Sequence, residues 1–294
     1  MKKISFILAL VLTFTLIFTA CGEKESGGIT VKPTGGSSDS ATQTVSGMSG
    51  ESYSLSKNIT KVVSLSPSAS IIIDALGAGA KLVGVDAESA EVISTTASVV
   101  EPSGAAALTP EVIIVDEENA SRIGETDIPV YSIPTITSSA DIRALLNLTA
   151  KICGSNAASL VDHLTQSINV AQLGSSEYST KLIAYIDLGD GKTVGSGTYM
   201  TELLYAAGLE SAAKDSEGFV EWTTADIVAA NPQFIFTTGN VDDYLNNAEL
   251  AGVDAVVKGQ VYGIEKNDIS YPTHRVADVT LAMYEAVSNS RADE

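Results

Sequence analysis

Histidine, cysteine and tryptophan are nearly missing from this chain: two His, two Cys and one Trp in 294 residues. A zinc or manganese site needs two or three convergent imidazoles. His163 lies in the segment between the two halves of the chain and His274 near its end, so a receptor for a bare metal ion of that kind is hard to assemble. Cys21 has a separate role argued below, which leaves Cys153 alone and excludes both a disulfide framework and a thiolate cluster. In its setting, "LLNLTAKIC", Cys153 reads as a small buried hydrophobe. Catalytic signatures are missing too. There is no G-x-S-x-G elbow, no P-loop, and no G-x-G-x-x-G after the first strand pattern. Basic residues are scarce: 17 Lys and Arg face 36 Asp and Glu, a formal net charge of −19. Loss of Lys2 and Lys3 with the leader would make it −21. Such acidity argues against nucleic acid and against polybasic binding to a membrane surface.

What is present begins with an export signal. Lys2 and Lys3 precede an uncharged apolar run from Ile4 to Ala20, closed by Phe18-Thr19-Ala20-Cys21. A positive start, an apolar middle and small residues before a cleavage point make a secretory signal. A Cys directly after them resembles the lipobox of bacterial lipoproteins, in which Cys21 is lipidated. The alternative, a signal-anchor helix, sits at the short limit of a membrane span. Residues 1–20 are thus expected to be a lipoprotein signal peptide. Residues 21–56, rich in Gly, Ser and Thr, are expected to be a flexible tether with too little apolar surface to fold.

The remaining body, roughly 240 residues, is long enough for two lobes. Short β-branched runs alternate with helical patterns, the sign of an α/β fold with mainly parallel sheets. Strands are predicted over Val62–Leu65, Leu82–Val85, Val112–Val115 and Val130–Ile133, and then over Leu182–Ile186, Phe234–Thr237 and Val261–Ile264. A last helix is predicted from Arg275 to Val287. The halves repeat each other: "ALTPEVIIVDEE" matches "VAANPQFIFTTG", Pro110 lying 48 residues after Val62 and Pro232 50 after Leu182. Between the halves, Ser155 to Gly174 carries Leu160, Leu164 and Ile168 at helical spacing. The reading is two Rossmann-like lobes, 57–154 and 177–294, joined by a single long α-helix over 155–176, a stiff connector that allows little opening.

Ligands of open α/β sheets bind outside the carboxyl ends of the strands. That places "SPS" (Ser66–Ser68), "DAESAE", "GSGTYM", "EGFVEW" and "SYPTHR" at a site. Ser66 and Ser68 have no base or acid partner to activate them; Ser68 reads as a helix-capping hydroxyl and Pro67 as a stiffener of a rim. Tyr199, Trp222 and Tyr271 fall in these segments. Each is either a lid on its own lobe's core or an amphipathic face for a large planar ligand. His274 follows in a polar loop, where it either hydrogen-bonds a ligand or coordinates a metal held within one. A local basic patch from Arg122, Lys192 and Arg275 would suit an anionic ligand; an acidic cleft would suit a neutral or cationic one.

The ordered set "VVSLSPSASIIIDALGAGAKLVGVD", "LTPEVIIVDEE", "KLIAYIDLGDGKTVGSGTYMTELLYAAGLESAAKD", "WTTADIVAANPQFIFTTG" and "VVKGQVYGIEKNDISYPTHRVADVTLAMYEAV" resembles the substrate-binding lipoproteins of ABC importers for ferric siderophores, haem and cobalamin. The match covers about Ile59 to Val287. The resemblance implies a shallow cleft between two lobes, rimmed by Ser66, Pro67, Tyr199, Trp222, Tyr271 and His274. It implies a monomeric, extracytoplasmic, lipid-anchored receptor that is not an enzyme, carries no cofactor and binds no nucleic acid. Its partners would be a metal chelate or corrinoid and an ABC-transporter permease, docked through an acidic residue on each lobe. The usual Glu before the second-lobe Pro is replaced by Ala225. Glu221 or Asp226 stands in for it, with Glu88 or Glu91 on the first lobe. The alternative of another class is a surface-anchored enzyme or scavenging adhesin on the same fold.

Overall fold

The computed structural model describes residues 41–292; the leader, Cys21 and the chain up to residue 40 lie outside the described residues. Its first element corrects the tether expected over 21–56 for residues 42–56. Strands β1 (Thr42–Ser46) and β2 (Ser52–Ser56) form an antiparallel hairpin with Val45 opposite Tyr53. Val45 and Leu55 are buried. The Tyr131 hydroxyl donates to the Val45 carbonyl (2.9 Å), and the Ser132 amide donates to Glu51 Oε1 (3.1 Å). Ser and Thr fill the outward positions, so the period-two pattern that marks a strand is carried by one fully buried apolar residue per strand and looks like linker.

The first lobe holds a five-stranded sheet in the order β5-β4-β3-β6-β7, parallel throughout. The strands are β3 (Val62–Leu65), β4 (Leu82–Val85), β5 (Ser98–Val99), β6 (Val112–Asp116) and β7 (Val130–Ile133). Those in the middle, β3 and β6, are buried almost end to end, because helices cover both faces of a parallel sheet. The helices are α1 (Pro67–Ala75), α2 (Ala87–Val92), α3 (Glu117–Ala120) and α4 (Ser139–Cys153). The chain moves outward from β3 to β4 and β5, then returns to β6 on the other side. The switch point therefore lies between β3 and β6.

The connector forms as α5 (Ala158–Ser175), 18 residues or about 27 Å at 1.5 Å per residue. Beyond it, β8 (Leu182–Asp187), β9 (Lys192–Ser196), β10 (Leu209–Ser211), β11 (Ala213–Glu217), β12 (Phe219–Glu221), β13 (Phe234–Thr237) and β14 (Val261–Gly263) build two sheets. One is parallel, in the order β10-β8-β13-β14; the other is three-stranded, β11-β9-β12, with β12 antiparallel to β9. The switch point between β8 and β13 repeats that of the first lobe, as the internal repeat requires. The helices of this half are α6 (Tyr199–Ala206), α7 (Thr224–Ala230), α8 (Val241–Leu245), α9 (Asp254–Val257), α10 (Lys266–Ile269) and α11 (Val276–Ala292).

One apolar core runs through both lobes. Ile72, Ile142 and Leu145 of the first belong to the same buried cluster as Ile186, Leu203 and Val276 of the second. Helix α11 lies along α5, with His163 Nε2 3.0 Å from Asp278 Oδ1, so His163 is a helix-surface residue in an ion-pairing position. A polar clasp adds to this join. Glu202 on α6 accepts hydrogen bonds from the amide and the hydroxyl of Ser139, both at 2.7 Å, at the first turn of α4. A carboxylate at a helix N-terminus is favoured by the free amides there. Glu202→Ala is expected to cost about 1–2 kcal/mol, in line with hydrogen bonds to a charged group at a partly exposed site; urea unfolding measures it, and an unchanged midpoint refutes the clasp.

Candidate functional site

The stretch "SLSPSAS" is organised by its hydroxyls. Ser66 caps α1, its oxygen accepting from the Ala69 amide, and Pro67 occupies the first helical turn. The Ser70 hydroxyl lies 2.8 Å from both Ser64 Oγ and Ser89 Oγ, tying α1 to β3 and α2 inside the lobe. Ser66 is 0% exposed, which corrects its assignment to a ligand-touching rim: its side chain is spent on the cap. Pro67 and Ser68 do reach the site. With Glu88, Asp116, Glu117 and Glu118 they form one wall of a cavity of about 580 Å³.

The opposite wall comes from the second lobe: Lys192 and Phe219 from the three-stranded sheet, and Ser270, Tyr271 and Pro272 from the loop before α11. The end of β7 and the residues after it complete the lining with Ile133, Pro134 and Ile136. A cavity of this size, part apolar and part polar, suits a small organic ligand or one face of a larger one. Tyr271 crosses it, its hydroxyl donating to Glu88 Oε1 at 2.9 Å. Burial, and then the Glu88 carboxylate, push the Tyr271 phenol well above its ordinary range, so it remains a donor.

Asp116 ends β6 at the switch point. Burial raises its carboxyl to about 7, with the charges of Asp86, Glu118 and Glu88 adding to the shift and the Ser66 hydroxyl partly opposing it. Asp86, which caps α2 by accepting from the Ser89 amide (2.7 Å), is raised for the same first reason, burial.

Other expectations need correction. Tyr199 is 3% exposed and its hydroxyl donates to the Ile269 carbonyl at 2.6 Å. It is a core residue at the start of α6, because that turn faces inward. Trp222 is outside the interlobe cavity. It stacks on Tyr185, centroids 5.9 Å apart, and lines a second cavity of about 350 Å³ at the β8/β13 switch point with Asp187, Asp190, Asp243 and Tyr244. His274 does not line the interlobe cavity either. Its Nδ1 is buried without a hydrogen-bond partner among the described residues, and burial lowers its pKa, keeping the ring neutral. Glu88, expected on the docking surface, is held in the cleft by Tyr271. Glu91, Glu221 and Asp226 are exposed; Asp226 also accepts from the Thr223 amide and hydroxyl, both 2.7 Å, in a capping box.

The basic patch does not assemble. Arg122 pairs with Glu101 (2.8 Å) and Arg275 with Asp268 (3.6 Å), leaving Lys192 as the basic residue of the cavity lining. Among the described residues no group of three or more His, Cys, Asp or Glu is placed to hold a metal ion. Cys153 is buried and its thiol is pushed up to about 11 by that burial, as its apolar setting predicts. The cavity residues that sequence reasoning overlooked are Ile133 to Ile136 and the acidic run Asp116, Glu117 and Glu118; the acidic run is the one with a signal. "VDEE" follows a strand at the edge where ligands bind, but it served only to align the repeat.

No family model matches the chain. An uncharacterized ABC transporter substrate-binding lipoprotein, YvrC of Bacillus subtilis, is 26% identical over 221 residues, 67% of this chain and 69% of that protein. Among solved structures, the molybdate periplasmic binding protein MolA of Haemophilus influenzae superposes with a TM-score of 0.73 at 18% identity, covering 85% of this chain and 92% of that one. CeuE of Helicobacter pylori with Ni(II) bound gives 0.68 at 16% identity, over 84% and 91%. The periplasmic heme-binding protein RhuT of Roseiflexus gives 0.61 at 21% identity, over 78% and 99%. The fold is thus that of the periplasmic binding proteins, as the sequence resemblance implied.

Proposed function

We propose that the chain is an extracytoplasmic solute receptor, held at the membrane by a lipid on Cys21, that captures a metal chelate or corrinoid between its lobes and passes it to an ABC-transporter permease. The observation that carries this reading is the cavity at the carboxyl edge of the first sheet, lined from both lobes and spanned by the Tyr271–Glu88 bond. The similarity to a substrate-binding lipoprotein supports the role. A whole chelate rather than a bare ion fits a lining in which carboxylates do not converge as metal ligands. The protein does no bond-making chemistry in this reading. Ser66 is committed to a cap, and the lining has no histidine to activate Ser68. Among the described residues no helix is long and apolar enough to cross a membrane. Hand-over requires the permease to favour one state of the receptor over the other. Glu91 on the first lobe and Glu221 or Asp226 on the second are the exposed acids proposed to dock it.

The direct test is a thermal-shift panel of ferric siderophores, haem and cobalamin. A ligand that binds only the folded state at a hundred times its Kd adds about 2.7 kcal/mol of stability, a rise of roughly 5–10 °C for a chain of this size. A saturable rise with one class identifies the ligand; no rise with any of them sinks the proposal.

A further inference from the structure

We infer that the cleft selects by charge, accepting neutral and cationic chelates and excluding polyanionic ones. This rests on the receptor reading and deepens it. The first-lobe wall presents Asp116, Glu117 and Glu118 in succession at the start of α3, with Glu88 beside them, and the facing lobe answers with Lys192 alone. The second lobe repeats the arrangement at its own switch point, where Asp187, Asp190 and Asp243 line a cavity with no Lys or Arg in its wall. There the faces of Trp222 and Tyr244 also favour a cation over an anion. The arginines nearest in sequence are paired elsewhere, with Glu101 and Asp268.

The protein contains its own test charge. Asp116 sits inside the cleft wall, and its carboxyl resists ionisation because of burial and the carboxylates around it. An incoming anionic group meets the same field and the same loss of water. Exclusion of this kind is specificity by repulsion. Because it acts between charges at the mouth of a partly open cleft, added salt weakens it.

Three ferric chelates of similar bulk separate the outcomes: a linear trihydroxamate with a protonated amine, a neutral cyclic trihydroxamate, and a triply negative tris-catecholate. Binding to the full-length chain in detergent is followed by fluorescence quenching at low and high salt. The cationic and neutral chelates are expected to bind at least tenfold more tightly than the tris-catecholate, with the gap narrowing at high salt. The isosteric pair Glu117→Gln and Glu118→Gln is expected to narrow it at least threefold at low salt, with the unfolding midpoint reporting that the variant is folded. Equal or tighter binding of the tris-catecholate overturns the charge rule and leaves the receptor reading standing. Failure of all three chelates, together with haem and cobalamin, removes both.

Discussion

Raising the pH from 4 to 7 is expected to destabilise this protein chiefly through the Asp116 carboxyl, and Asp116→Asn to abolish its part of the loss. Asp86 and Asp268, also raised by burial, add in the same direction. In the unfolded chain Asp116 titrates near 3.8; in the fold it titrates at about 7. Between those values the folded state holds a proton that the unfolded state has released, so stability falls as pH rises. The contribution is complete below pH 4 and lost by pH 7. At 1.36 kcal/mol per unit it reaches about 4 kcal/mol, which is large against a total of about 5–15. Glu111, Asp141 and Asp226 shift downward, Glu111 and Asp226 chiefly through hydrogen bonds from neighbouring threonines, and Asp141 through bonds from Thr137 and Ser138 that outweigh its burial. Their slopes have the opposite sign but are confined to pH below about 4.5, the ordinary value of the Glu111 carboxyl. Urea unfolding at intervals from pH 4 to 8 for wild type and D116N isolates the effect. The variant should be the more stable protein at pH 8, and identical slopes would refute the assignment.

The second large effect is expected at Gly195→Ala, with a loss of about 3 kcal/mol and a fall in Tm of roughly 6–12 °C. Gly195 lies in β9, where the chain runs between β11 and β12, and its amide donates to the Gly218 carbonyl at 2.7 Å. A methyl group there would collide with the carbonyls of Ser216 and Gly218. Both are backbone atoms held by the sheet, so neither can turn aside as a side chain could. The same sheet carries Lys192 and Phe219 into the interlobe cavity, so the variant should also weaken binding of the ligand proposed for that cavity. A midpoint within 2 °C of wild type would show that the strands part easily and that the close approach is unimportant.

Much of the fold was legible for one physical reason. Strands buried on both faces must be apolar throughout. Val62–Leu65 and Phe234–Thr237 accordingly have the bounds their runs predict, as do Leu82–Val85 and the edge strand Val130–Ile133, in which alternate residues are buried. The strands of the small sheet, β9, β11 and β12, are short and largely polar, with Gly195 inside β9, and no pattern announced them. The hairpin β1–β2 was hidden the same way, its neighbours supplying the burial that its own sequence lacks. The site was legible as a set of sheet edges, but the roles of its residues were less so. "GSGTYM" does begin a helix after a strand, yet a helix's first turn has an inner and an outer side, and Tyr199 takes the inner. Trp222 does lie at a switch point, but that of the second lobe. Which of two edges faces the partner lobe depends on how the lobes pack, and no local pattern encodes it.

The core shared by the lobes has a consequence for descent as well as for motion. Ile142 and Leu145 are buried in the same cluster as Leu203 and Val276, so each half supplies apolar surface that the other must match. Halves that look like a duplicated unit are therefore no longer interchangeable. A lobe transplanted from a relative would arrive with the wrong knobs for its neighbour's holes. Diversity of ligand must instead arise at the strand-end loops, which can vary without disturbing the packing between the lobes.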